Sequence, residues 1–91
     1  MKGTVVALNK MIGKGDGSVK KDEAIKLAEQ GQPIVFMSGG KIYFIFNADG
    51  TFAGKKLANY ANNKAVGIVG KTITLKGGLK GIVADLIESM D

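Results

Sequence analysis

Three short stretches have residue types and spacing that could do chemistry with a phosphate or a cation. Ala65-Val66-Gly67-Ile68-Val69-Gly70-Lys71-Thr72 has the form of a relaxed phosphate loop, with alanine in place of the first glycine. That chemistry needs a strand, a glycine-rich loop and then a helix whose first amides cradle the phosphate. Here valine and isoleucine fill the loop and Thr72-Ile73-Thr74-Leu75 continues as a strand, so nucleotide hydrolysis is disfavoured. Gly13, Gly15 and Gly17 alternate in a loop with enough glycine to form a backbone nest for an anion. A plain connector accounts for the same residues. Asn47, Asp49 and Thr51 alternate like the start of a calcium loop, but the glycine comes too early and Ala58 stands where the bidentate glutamate belongs.

Catalytic residues are scarce. The chain has no histidine and no cysteine, so the commonest general base and the best thiol nucleophile are both missing. Ser18, Ser38 and Ser89 fall at predicted turns or element ends, and the sequence identifies no catalytic base to activate them. Met11 and Met37 read as core filler rather than copper ligands. The expectation is a non-enzymatic protein with no metal site and no cofactor. What remains is binding. Phe36 and Tyr43, with Lys41 beside them, form an aromatic and cationic set of the kind that stacks bases and tracks a nucleic-acid backbone. A helix laid over Phe36, with only the rim of Tyr43 showing, accounts for the same residues.

The element that must position this set is Gln32 to Asn47, two apolar runs joined by Gly39-Gly40. Paired glycines between apolar runs signal a hairpin, because primed turns need positive φ. In that register Ser38 faces Lys41, Met37 faces Ile42, Phe36 faces Tyr43 and Val35 faces Phe44. Alternation then sorts the side chains onto two faces. Val35, Met37, Ile42, Phe44 and Phe46 are wholly apolar and are expected to form the core. Ile34, Phe36, Ser38, Lys41, Tyr43 and Ile45 make a mixed face, either covered by a helix or open to a ligand. Pro33 suits the first position of the strand.

Around the hairpin, Gly3 to Lys10 reads as a first strand. Ser18 can cap a helix from about Val19 to Gln30, with Ala24, Leu27 and Ala28 as its stripe and Gly31 as its stop. Thr51 can cap a second helix through about Ala61, using Leu57, Ala58, Tyr60 and Ala61. Lys64 to Lys76 returns to strand with a change of phase, since Val66 and Ile68 are even and Ile73 and Leu75 odd. Gly70 is where a bulge comes most easily. After Gly77-Gly78 the chain fits two templates, a helix or a return strand. A strand over about Leu79–Ala84 with a helical turn at Asp85–Met90 is preferred.

The order is β-α-β-β-α-β-β. It is mainly β with two helices and matches a small five-stranded OB-fold-like barrel with a helical insertion between strands 1 and 2. Residues 1–91 suit one domain. No apolar run approaches the ~20 residues of a membrane span. The N-terminus lacks the pattern of a signal peptide, so the compartment stays open: cytoplasmic, or periplasmic or extracellular if a signal peptide has been removed. The net charge of +5 comes entirely from lysine on the basic side. Lysine attracts phosphate as a point charge without the planar fork of arginine. The charge is therefore compatible with weak, salt-sensitive binding of single-stranded nucleic acid and equally with a soluble lysine-rich surface.

Gly31-Gln32-Pro33, Gly40-Lys41-Ile42-Tyr43, Val69-Gly70-Lys71 and Gly77-Gly78-Leu79-Lys80-Gly81-Ile82 together resemble a group of small bacterial OB-fold-like proteins, many of them exported and uncharacterised. Members of that group usually carry cysteines near the end of the first strand and in the first helix. This chain has Asn9-Lys10-Met11 and Asp22-Glu23-Ala24-Ile25-Lys26-Leu27 there, so no functional residue carries over. The resemblance implies an extracytoplasmic accessory or protein-interaction module. The residues alone point to a binding module whose partner is single-stranded nucleic acid or another protein.

Overall fold

In the computed structural model, residues 1–11, 15, 17–61 and 63–90 are described. The elements run β1 (Lys2–Ala7), a 3-10 turn (Leu8–Met11), α1 (Lys21–Glu29), β2 (Ile34–Ser38), β3 (Lys41–Phe46), α2 (Gly54–Ala58), β4 (Val66–Thr74) and β5 (Lys80–Ser89). The five strands close into a barrel in the order β1-β2-β3-β5-β4. β3 and β5 pair in parallel, and every other neighbouring pair is antiparallel. A mostly β, five-stranded mixed barrel with two helices is consistent with a small OB-fold-like barrel. Among the described residues no helix is long and apolar enough to cross a membrane.

The hairpin forms in the expected register, with Phe36 opposite Tyr43, Met37 opposite Ile42 and Ser38 opposite Lys41. Gly39 and Gly40 have φ of 59° and 77°, the positive pair that a type I′ turn requires.

Its two faces are inverted relative to the sequence expectation. Ile34, Phe36 and Ile45 are fully buried inside the barrel with Val5, Ala7, Val66, Ile68, Ile82 and Ile87. Met37, Ile42, Phe44 and Phe46 lie on the outside, each partly exposed. Val35 shares their phase and is buried opposite Val6. An alanine Cβ at Gly17 would lie 2.9 Å from Val6 Cβ, so the chain before α1 packs over this part of the outer wall. The physical reason for the inversion is that both faces of the ribbon are greasy at one end. In the closed barrel Ile34, Phe36 and Ile45 turn inward and pack with the branched residues of β1, β4 and β5.

The helices plug one end. Ala24 of α1, and Ala53, Leu57 and Ala58 at α2, join the barrel core; Leu27, Ala28, Tyr60 and Ala61 pack against it. The Tyr60 hydroxyl donates to the Ile87 carbonyl at 3.1 Å, tying the turn after α2 to β5. Both helices are shorter than expected. α1 starts at Lys21 from Lys20 without a side-chain cap. Thr51 does not cap α2: it closes the preceding turn, accepting from Asn47 Nδ2 at 3.0 Å and donating its hydroxyl to Asp49 Oδ1 at 2.6 Å. An exposed Lys10–Glu23 ion pair at 2.7 Å links the 3-10 turn to α1 and is worth about 1 kcal/mol at most.

The change of phase expected within Lys64–Lys76 does not occur in β4; the bulge lies across from Gly70, in β5. The β4–β5 register shifts between Val69 and Gly70: Val69 faces Leu86 and Gly70 faces Ala84, leaving Asp85 as the extra residue. β4 keeps one phase throughout, so Ile73 points outward. β5 switches faces at Asp85, bringing both Ile82 and Ile87 inside. β5 runs unbroken to Ser89, and the helical turn expected at Asp85–Met90 is strand. Gly70 fits because any Cβ there would overlap the Val83 carbonyl and lie 2.9 Å from the Ala84 Cα.

Candidate docking site

The inversion decides which aromatic rings meet solvent. Phe36, expected on a binding face, has no exposed surface and offers no ring to a ligand. Tyr43 is half-buried against the core, and Lys41 is exposed at the end of the barrel opposite the helices. Lys80, the register partner of Tyr43, joins them there and donates from Nζ to Thr74 Oγ1 at 3.3 Å. So Lys41 and Tyr43 do share one end of one face, without Phe36.

The glycine loop is placed only in part. Gly13 lies outside the described residues. Gly15 is exposed and abuts the Lys10 carbonyl, where a Cβ would overlap the oxygen. Gly17 is buried, and its carbonyl accepts from the Ala7 amide at 2.9 Å. The Val69–Thr72 portion of the phosphate-loop look-alike runs as continuous β4, with no helix after it to present amides.

A different site appears on the outer wall. Phe44 and Phe46 project from β3, and Phe52 arrives from the Asn47–Thr51 turn to lie against both. Ring centroids are 6.3 Å apart for Phe44–Phe52 and 6.0 Å for Phe46–Phe52, the latter edge to face. Local hydrogen bonds fix this turn: Asn47 N–H donates to the Thr51 carbonyl at 2.8 Å, and Ala53 N–H to the Ile45 carbonyl at 2.9 Å. With Pro33, Leu75 and Leu79, the three rings line an open groove of about 280 Å³ that exposes no polar surface. Phe52 is 44% and Leu79 52% exposed. Gly81 forms the floor: a Cβ there would press on Phe46 at 3.1 Å and Ile73 at 3.2 Å.

Sequence reasoning missed the groove because its walls come from four separated segments, and because Phe44 and Phe46 read as core. One signal was available. Ile73 and Leu75 fall on the phase opposite to Val66 and Ile68, which marks an apolar outer surface once β4 is seen to be regular.

Comparison with protein-family models, with curated proteins and with solved structures finds no match to this chain.

Proposed function

We propose that this protein is a non-enzymatic interaction module of OB type that docks an apolar patch of another protein on the groove at Phe44, Phe52 and Leu79. The observation that carries the reading is a solvent-open groove built from three phenylalanines, two leucines and a proline with no polar lining. A water-exposed concavity of that composition on a small domain is costly unless a partner covers it. Aromatic anchors set in such a depression are the usual centre of a protein interface.

Binding of single-stranded nucleic acid is a second reading, favoured by the grouping of Lys41, Tyr43 and Lys80 at the far barrel end. It is the weaker of the two. Stacking needs open ring faces along a cationic track, whereas Tyr43 is half-buried and no lysine lines the aromatic groove. An exported accessory role rests on the family resemblance alone.

Photo-crosslinking separates these readings. A benzophenone residue is placed at Leu79 in one sample and at Lys41 in another, and each is irradiated in extract. The expected result is adducts at Leu79 that survive nuclease and disappear when Phe52→Ser is added. Nuclease-sensitive adducts at Lys41, with none at Leu79, would replace this reading with the nucleic-acid one.

A further inference from the structure

The barrel closes through a short seam. β1 meets β4 only at Lys2–Gly67 and Gly3–Val66, extended by one residue where Ile68 N–H donates to the Met1 carbonyl at 2.8 Å and the Met1 ammonium donates to the Ile68 carbonyl at 2.7 Å. β4 then runs on to Thr74 with β5 along one side. Successive residues of a strand aim their backbone groups to opposite sides. Ile68 aims both of its groups at β1, so Gly70, Thr72 and Thr74 aim theirs the same way, past the end of β1. All three residues are exposed, and Val69 is 55% exposed. Among the described residues, no second strand pairs with this stretch.

We propose that the Gly70–Thr74 edge of β4 is a strand-addition site for an extended acidic peptide, which pairs antiparallel to β4 in line with β1. Two observations fix the chemistry of the occupant. Val66 to Leu79, the strand and the turn after it, carries Lys71 and Lys76 and no acidic residue, and Lys80 follows directly. On β5, Asp85 sits at the bulge across from Val69 and Gly70, and Glu88 lies farther back, opposite Gly67. A pocket of about 300 Å³ also lies beside the edge, lined by Ile68, Val69, Gly70, Thr72 and Ile82 together with Met1. The side chain opposite Gly70 would point to the barrel side, over a residue that has no side chain of its own, and an apolar group fits there. The residue opposite Lys71 would lie on the outer face beside the ammonium, and a carboxylate fits there. The occupant therefore alternates apolar and acidic residues. Main-chain hydrogen bonds supply affinity, and the alternate positions supply selectivity. This site is separate from the aromatic groove and uses none of its rings.

The test titrates the full chain at low salt with an end-capped seven-residue peptide alternating valine and glutamate, with a valine–lysine peptide as control. The acidic peptide is expected to bind saturably and to slow amide exchange at Gly70, Thr72 and Thr74, while the control does not bind. Thr72→Pro removes a solvent-directed N–H and leaves the β5 ladder intact, since the β5-directed bonds come from the odd residues of β4. It is expected to weaken binding about tenfold. Lys71→Glu is expected to shift preference toward the lysine peptide. N-methylating the peptide on one edge tests the same contact without altering the protein, and is expected to abolish binding. Absence of saturable binding, shifts centred on Phe44 and Phe52, equal binding of both peptides, or pairing of β4 with a second copy before peptide is added would each overturn the proposal.

Discussion

Asp49 shows how a single exposed carboxylate can be held by its local turn. The Thr51 hydroxyl donates to its Oδ1 at 2.6 Å and the Thr51 N–H donates to the same oxygen at 3.0 Å. The hydroxyl bond first and the amide bond second hold the carboxyl below its ordinary 3.8, outweighing a small opposing effect of burial. Because the folded value is the lower one, the turn supports folding above the unfolded carboxylate range. That support is lost as pH falls through the folded value. A carboxyl titration by NMR should place the Asp49 midpoint below 3.8, and Thr51→Val should move it back upward. An Asp49 midpoint unchanged by Thr51→Val would assign the shift to another group. The same turn carries Phe52 into the groove, so its integrity matters beyond the carboxylate.

At the scale of elements, the inverted hairpin makes a sharp forecast. Phe36→Ala should cost about 3–5 kcal/mol, as expected for a fully buried aromatic that leaves a cavity. Phe44→Ala, on the outer wall, should cost about 1 kcal/mol or less. Urea denaturation of the two variants checks this, and the opposite ranking would restore the face that alternation suggested. Much of the element order was legible: the paired glycines with positive φ, the apolar stripes of both helices, and a register shift at Val69/Gly70. What misled was local ambiguity with a physical origin. Alternation chose the wholly apolar face because Ser38 and Lys41 lie on the other. Those two polar residues sit at the turn end, and the rest of that face is apolar enough to be buried. β5 looked helical because inward residues Ile82 and Ile87 are five apart across a bulge, while Leu79, Leu86 and Met90 face water and fill in the remaining helical positions. Thr51 looked like a helix cap because a hydroxyl that closes an Asx-type turn and one that caps a helix have the same sequence signature. The groove itself was not legible, since β3, the Phe52 segment and the β4–β5 turn meet only once the barrel has closed.

For the whole molecule, the outer wall and the net charge of +5 pull in opposite directions. The wall favours contact between copies, and the lysines keep copies apart over about a Debye length. Sedimentation equilibrium should show monomer at about 0.05 M salt and a rising average mass at about 1 M, where screening shortens that length to roughly 3 Å. Phe52→Ser should suppress the rise. Association that is indifferent to this change would place the sticky surface elsewhere. The same balance bears on partner choice, because an apolar patch rimmed by acidic residues satisfies both terms together.

The Tyr60–Ile87 tether has a practical corollary. The chain has no tryptophan and two tyrosines, Tyr60 anchored where the helices plug the barrel and Tyr43 at the opposite mouth beside Lys41. Nature has thus left the protein with an intrinsic lamp at each pole, and replacing either phenol by phenylalanine makes the remaining emission a private report on its own hemisphere.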